Sequence, residues 1–182
     1  MTLDTRWKNP QGPAQLYLWA QDLIKELRKG SFPSSSIVGT TTNDDAPEGN
    51  IGELLSSFIA SGSAVSLTTG VAANITSILI TPGDWDVTAN AYFSATATTS
   101  ITRTLACIVD VSAGVGTNPG QFSQHRTAAA VAGTSSLAMR HQPIPPYRVS
   151  FAVPVTLYLV ALADFSADTL AAWGSLTARR VR

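Results

Sequence analysis

Residues 155–165 read Val-Thr-Leu-Tyr-Leu-Val-Ala-Leu-Ala-Asp-Phe. Successive side chains of a strand point to opposite faces, so Val155, Leu157, Leu159, Ala161, Ala163 and Phe165 form one core-facing stripe. In a half-buried strand the alternate positions would meet water, yet Tyr158, Val160 and Leu162 are apolar as well. A strand apolar on both faces is covered on both faces. The run is about nine residues before Asp164, too short to cross a bilayer as a helix. The second cover is therefore expected from another layer of protein. A copy of the same chain is its expected source, with Tyr158, Val160 and Leu162 at the oligomer interface.

Composition points the same way. Charged residues make up 13% of the 182-residue chain, about half the usual share, and Ala, Ser and Thr fill the places of Lys and Glu. The formal net charge is +0, but all three lysines (Lys8, Lys25, Lys29) lie in the first thirty residues. Between residues 31 and 178 four arginines face nine acidic groups. A nucleic-acid binder needs a clustered basic face, so no nucleic-acid partner is expected. Cys107 is the single cysteine, which excludes an intramolecular disulfide and reads as a buried, inert thiol. No charged-then-apolar leader with a small-residue cleavage site opens the sequence. Synthesis in the cytoplasm and no membrane insertion are expected.

The chain divides into an N-terminal segment (1–35), a linker (36–50) and a β domain (51–182). Pro10 and Pro13 precede a segment from Ala14 to Lys29, with Arg28 and Lys29 late and Gly30 beyond; this is helix punctuation. Leu16, Ala20, Leu23 and Leu27 recur at heptad-like spacing, widened by Trp19 and Ile24. A helix of this length is marginal alone and needs a surface to dock on. Ahead of it, Arg6-Trp7-Lys8-Asn9-Pro10 reads as an extended basic and aromatic arm. The docking residues expected here are Arg6, Trp7, Lys8, Leu16, Trp19, Leu23 and Leu27. From Gly52 the pattern is β throughout, with strands expected at 52–59, 63–68, 72–80, 84–95, 100–111, 134–141, 147–153, 155–165 and 169–181. About ten residues per strand with Gly/Pro punctuation between them reads as a sandwich or jelly roll. The residues thus read as mainly β, a sandwich or jelly roll preceded by an extended arm and one α-helix.

No motif carries catalysis or a metal. His125 and His141 are the only histidines and neither lies in a ligand cluster. No Gly-x-Ser-x-Gly elbow occurs. Asp84 and Asp86 share a strand face, where they can keep the strand start soluble, and Asp164 and Asp168 bracket a turn whose amides they can satisfy. Gly114-Val-Gly116-Thr-Asn-Pro-Gly120 lacks the Gly-Lys-Ser/Thr ending of a phosphate loop and reads as a long exposed loop continuing to Gly133. Binding residues concentrate on such loops, which makes Phe122, His125 and Arg126 the first candidates for touching a ligand. No catalytic residue, metal or cofactor is expected.

The run Gly39–Ser57, the segments Ala64–Thr69 and Pro82–Val87, and the ending Val155–Ala161 with Ala172–Arg182 resemble a module of tailed-phage and prophage structural proteins. The resemblance covers about residues 39–182. It implies a jelly roll similar to the heads of tumour necrosis factor and complement C1q, trimeric assembly, and a place in the virion. A fibre, spike, adaptor or decoration protein would fit, docked to capsid, portal or tail by residues 1–30. The short chain, with no shaft between arm and head, favours a compact part over a far-reaching fibre. The alternative is a receptor- or glycan-binding head acting through loops 114–133 and 142–148.

Overall fold

The computed structural model describes Gln21, Ile24, Lys25 and residues 45–96, 98–116, 121–132 and 139–182, with backbone alone at Phe122, 127–132 and Met139. Two compact units divide the chain at Asp44/Asp45. In the first, Gln21, Ile24 and Lys25 are helical and exposed; the docking residues Arg6, Trp7, Lys8, Leu16, Trp19, Leu23 and Leu27 lie outside the described residues.

Among its described residues the second unit carries nine strands: β1 (Leu54–Ile59), β2 (Val65–Ser66), β3 (Ala73–Ile80), β4 (Gly83–Ala95), β5 (Ser100–Val109), β6 (Phe122–Ala132), β7 (Met139–Phe151), β8 (Val155–Ser166) and β9 (Leu170–Arg180). One sheet runs β1-β9-β4-β7, with β2 also on β9; the other runs β3-β8-β5-β6. The antiparallel pairs β1–β9, β3–β8, β4–β7 and β5–β6 are nested along the chain and alternate between the sheets. A doubled ribbon rolled up in this way is a jelly-roll sandwich.

Alternation in the sequence accounts for the core between the sheets. Trp85, Val87, Ala89, Ala91 and Phe93 of β4 are buried against Leu157, Leu159, Ala161 and Ala163 of β8 and Leu170, Ala172, Leu176 and Ala178 of β9. The Trp85 indole N–H donates to the Thr81 carbonyl at 2.9 Å.

Three sequence expectations need correction. The stretch 122–132, read as loop, is strand β6, paired to β5 with a break between Ile101 and Arg103. Secondly, residues 134–141 and 147–153, read as two strands with Pro143–Pro146 as their turn, contribute to one strand, β7. Its prolines are tolerated because β7 pairs with β4 alone among the described strands, and an edge strand has donors to spare. Pro145 and Pro146 together oppose Thr88, a bulge that shifts the inward set from Gln142 and Ile144 to Tyr147, Val149 and Phe151. The Thr88 hydroxyl donates to the Ile144 carbonyl there, at 2.8 Å.

The third correction concerns the second apolar face of β8. Leu105, Cys107, Val160 and Leu162 form a separate buried cluster, with Ala72, Val109 and Tyr158 packed against it. Thr102 is an extra residue in β5 against β8, which turns Leu105 and Cys107 away from the core that Ile101 enters. The loop after β5 folds back over this cluster. Ala113 N–H donates to Asn74 Oδ1 (2.7 Å), and Asn74 Nδ2 donates to Ser112 Oγ (2.8 Å). Val160 is 0% and Leu162 7% exposed within the single chain, and Tyr158 is half-buried. The cover assigned to a sister subunit is therefore present inside the chain at Val160 and Leu162.

Candidate functional site

Strand register builds an aromatic row on the outer face of the β1-β9-β4-β7 sheet. Tyr92 of β4 lies opposite His141 of β7 on one side and Trp173 of β9 on the other. The Tyr92 and His141 rings stack with centroids 4.5 Å apart and planes 17° apart; Tyr92 and Trp173 stack at 5.7 Å and 14°. Adjacent strands lie about 4.8 Å apart, so three in-register rings face one another like upright plates. His141 Nε2–H donates to Asn90 Oδ1 at 2.9 Å and fixes one end of the row. Phe58, 74% exposed, lies opposite Ser175 on β9. Thr88, Asn90, Ser94, Ser175 and Thr177 share the face, and its charges gather at one end, where Arg148 pairs with Asp86 at 3.0 Å beside Arg179.

The carboxylates flagged in the sequence are each engaged. Asp84 holds Arg182 at 2.7 Å, and Asp164 holds Arg103 at 2.8 Å. Asp168 accepts from Thr96 Oγ1 (2.6 Å) and Thr98 Oγ1 (2.8 Å), and these hydroxyls hold its pKa below the ordinary value. The Ser150 hydroxyl, followed by Arg182, does the same for Asp84, against opposing desolvation. A carboxylate whose folded pKa is depressed adds stability above the unfolded pKa, about 4, and loses it as pH falls through the folded value. The melting temperature should therefore be flat from pH 7 to 5 and fall below about pH 4. The Asp168→Asn variant should show a smaller acid loss, read by thermal melts at pH 7, 5 and 3.

Among the described residues no group of three or more His, Cys, Asp or Glu could hold a metal, and no helix is long and apolar enough to cross a membrane. Burial raises the pKa of the free Cys107 thiol, which suits an unreactive cysteine. The recognition residues fall on β6 instead of a loop. Phe122 lies opposite Cys107, Arg126 opposite Arg103, and His125 opposite Thr104. Arg140 Nη1 donates to His125 Nδ1 at 2.6 Å. These positions are not brought together with His141 in the aromatic row.

A groove of about 650 Å³ opens where β7 runs past the end of β5, walled by Ile108, Val111, Val115, Tyr147, Val149 and Phe151. Desolvation raises the pKa of Tyr147, so its hydroxyl stays protonated. Among the described residues Asp110 is the one charged group lining it.

Sequence reasoning missed the aromatic row because Tyr92 stands alone on an otherwise polar strand face. The three rings are far apart in the chain and meet only through register. The groove left a fainter signal in the apolar Val109, Val111 and Val115 around the β5 turn.

No protein-family model and no curated protein matches the chain. Among solved structures, the chain is similar to the infectious bursal disease virus VP2 subviral particle at 12% identity and a TM-score of 0.40, over 71% of this chain and 32% of that one. The infectious bursal disease virus Gx strain structure gives 14% and 0.39, over 78% and 37%. The chain thus spans about a third of those chains. Likeness at this level carries no weight for family or role, and the fold assignment stands on the strand pairing.

Proposed function

We propose that this protein is a non-enzymatic structural part of a virus particle, a compact homo-oligomeric subunit that associates through the outer face of the β1-β9-β4-β7 sheet. Its N-terminal segment would tie it to capsid, portal or tail. The resemblance of residues 39–182 to tailed-phage structural modules supports the particle and favours a trimer. The observation that carries the assembly is the row His141–Tyr92–Trp173 on a face with few charges. Buried interface centres are aromatic-rich and charge-poor, and Trp and Tyr dominate their energetics. The 13 residues of β4 span about 44 Å, and four strands about 19 Å. Their product, about 800 Å², is what one partner of a standard interface buries. This face takes the place of the β8 flank, where Val160 and Leu162 are already covered.

Receptor or glycan binding through residues 114–133 finds less support, because 122–132 form a strand. Tyr92→Glu and Trp173→Glu test the assembly face. Each should weaken association by about 30-fold or more, the effect of losing a hot-spot residue, with the far-ultraviolet circular dichroism kept. Light scattering reads the result. Unchanged molar mass in both variants would remove this face from the interface.

A further inference from the structure

We infer that the groove beside β7 receives an extended peptide strand, and that its occupant is the basic aromatic arm, residues 6–13, of a second copy. This rests on the assembly reading above and adds a second contact to it, leaving the part of the N-terminal segment after residue 13 to tie the assembly to the particle. Three properties of the groove select such an occupant.

The first is its edge. Among the described strands β7 pairs with β4 alone. Pro143, Pro145 and Pro146 strip donors from its first half, while Tyr147–Phe151 contains no proline. An open edge of that kind adds a strand from another chain, main chain to main chain, with alternate side chains seated in pockets. The second is its walls. Val149 and Phe151 line it, and Val111 and Val115 remain 63% and 46% exposed at its rim, an apolar surface that an aromatic side chain would cover.

The third is charge. Glu53, Asp84, Asp86 and Asp164 each hold an arginine. Asp110, at the groove, holds none among the described residues. The chain carries matching cations next to an aromatic in Arg6-Trp7-Lys8, followed by Pro10 and Pro13, which favour an extended backbone. With the helix expected over 14–29 rising about 1.5 Å per residue and the other residues of 9–44 spanning up to about 3.3 Å each, the reach is up to about 90 Å, about twice the length of β4. An arm seated on a neighbour closes a ring around a symmetric assembly without any new fold.

Two variants, each adding one cysteine to the full chain beside the buried Cys107, test this: Trp7→Cys in one preparation and Val111→Cys in another. Mixed and mildly oxidised, they should give a covalent dimer of one of each. Asp110→Lys in the Val111→Cys partner should lower its yield by up to about fivefold, the range of a surface ion pair. A synthetic peptide of residues 4–13 should compete with it. The inference is overturned if no mixed dimer forms, if Asp110→Lys leaves the yield unchanged, or if a Trp7→Cys/Val111→Cys double variant closes only within one chain. Failure here with an oligomeric wild-type mass removes the arm contact alone. A single-chain wild-type mass removes the assembly reading itself.

Discussion

Replacing Arg180 by alanine should lower the melting temperature by about 10 °C or more at fixed protein concentration. Arg180 and Glu53 are 5% and 4% exposed and meet at 2.8 Å. The guanidinium also donates to the Pro82 carbonyl (2.7 Å) and to Thr81 Oγ1, and lies 4.3 Å over the Trp85 ring. Glu53 accepts a further bond from Gly49 N–H at 2.8 Å. Backbone bonds run both ways, Gly52 N–H to the Arg180 carbonyl and Arg180 N–H to the Glu53 carbonyl, each 2.9 Å. One side chain thus joins the residues before β1, the β3–β4 turn and the end of β9. Alanine would leave Glu53 buried without its partner, which costs about 3–5 kcal/mol, or about 2–4 °C per kcal/mol in a chain of this size. Lysine cannot fork between these acceptors and should restore little. The Glu53→Met/Arg180→Met double variant should lose less than Arg180→Ala, since no charge is then stranded. Thermal melts of the three variants check the ordering, and a double variant worse than Arg180→Ala would refute it.

Gly174→Ala should cost about 3 kcal/mol, near the upper range for overpacking. Gly174 lies in mid-sheet, opposite Ala91 of β4 and Ile59 of β1. A Cβ there would overlap the Asn90 carbonyl oxygen and come within 3.0 Å of its carbon and 3.1 Å of the Ala91 Cα. All three are backbone atoms in a strand paired on both sides, so the clash is relieved only by parting β9 from β4. Trp173 precedes Gly174 and stacks on Tyr92, so the same shift should loosen the aromatic row and weaken self-association. Gly62→Ala, with nothing within 4 Å of the added atom, is the control and should leave both unchanged. Chemical denaturation reads the stability and light scattering the mass. A Gly174→Ala protein as stable as the wild type would contradict the packing described for this sheet.

The parts of the fold legible in the sequence were those where local pattern and tertiary role agree. The alternation of Trp85 to Phe93 and the doubly apolar run of β8 both locate buried surfaces that the structure contains. β6 was not legible because its stretch Phe-Ser-Gln-His-Arg-Thr-Ala-Ala-Ala-Val-Ala has little β-branched content and no clean period of two. β7 was hidden by three prolines, which forbid a central strand but suit an edge, and by the bulge at Pro145-Pro146 that shifts its period halfway. The β8 stripe was read correctly as needing two covers. The sequence could not reveal that Val109, Ala72 and the loop pinned to Asn74 lie on the second face, because that depends on a loop's return path. The row His141–Tyr92–Trp173 exists only once register is known, and side-chain spacing along one strand carries no trace of it.

The most direct test is the molar mass of the unmodified 19.1 kDa chain by sedimentation equilibrium across low-micromolar concentrations. A whole-number multiple of the chain mass, three by preference, is the predicted outcome. A single-chain mass throughout that range would contradict assembly through the aromatic face.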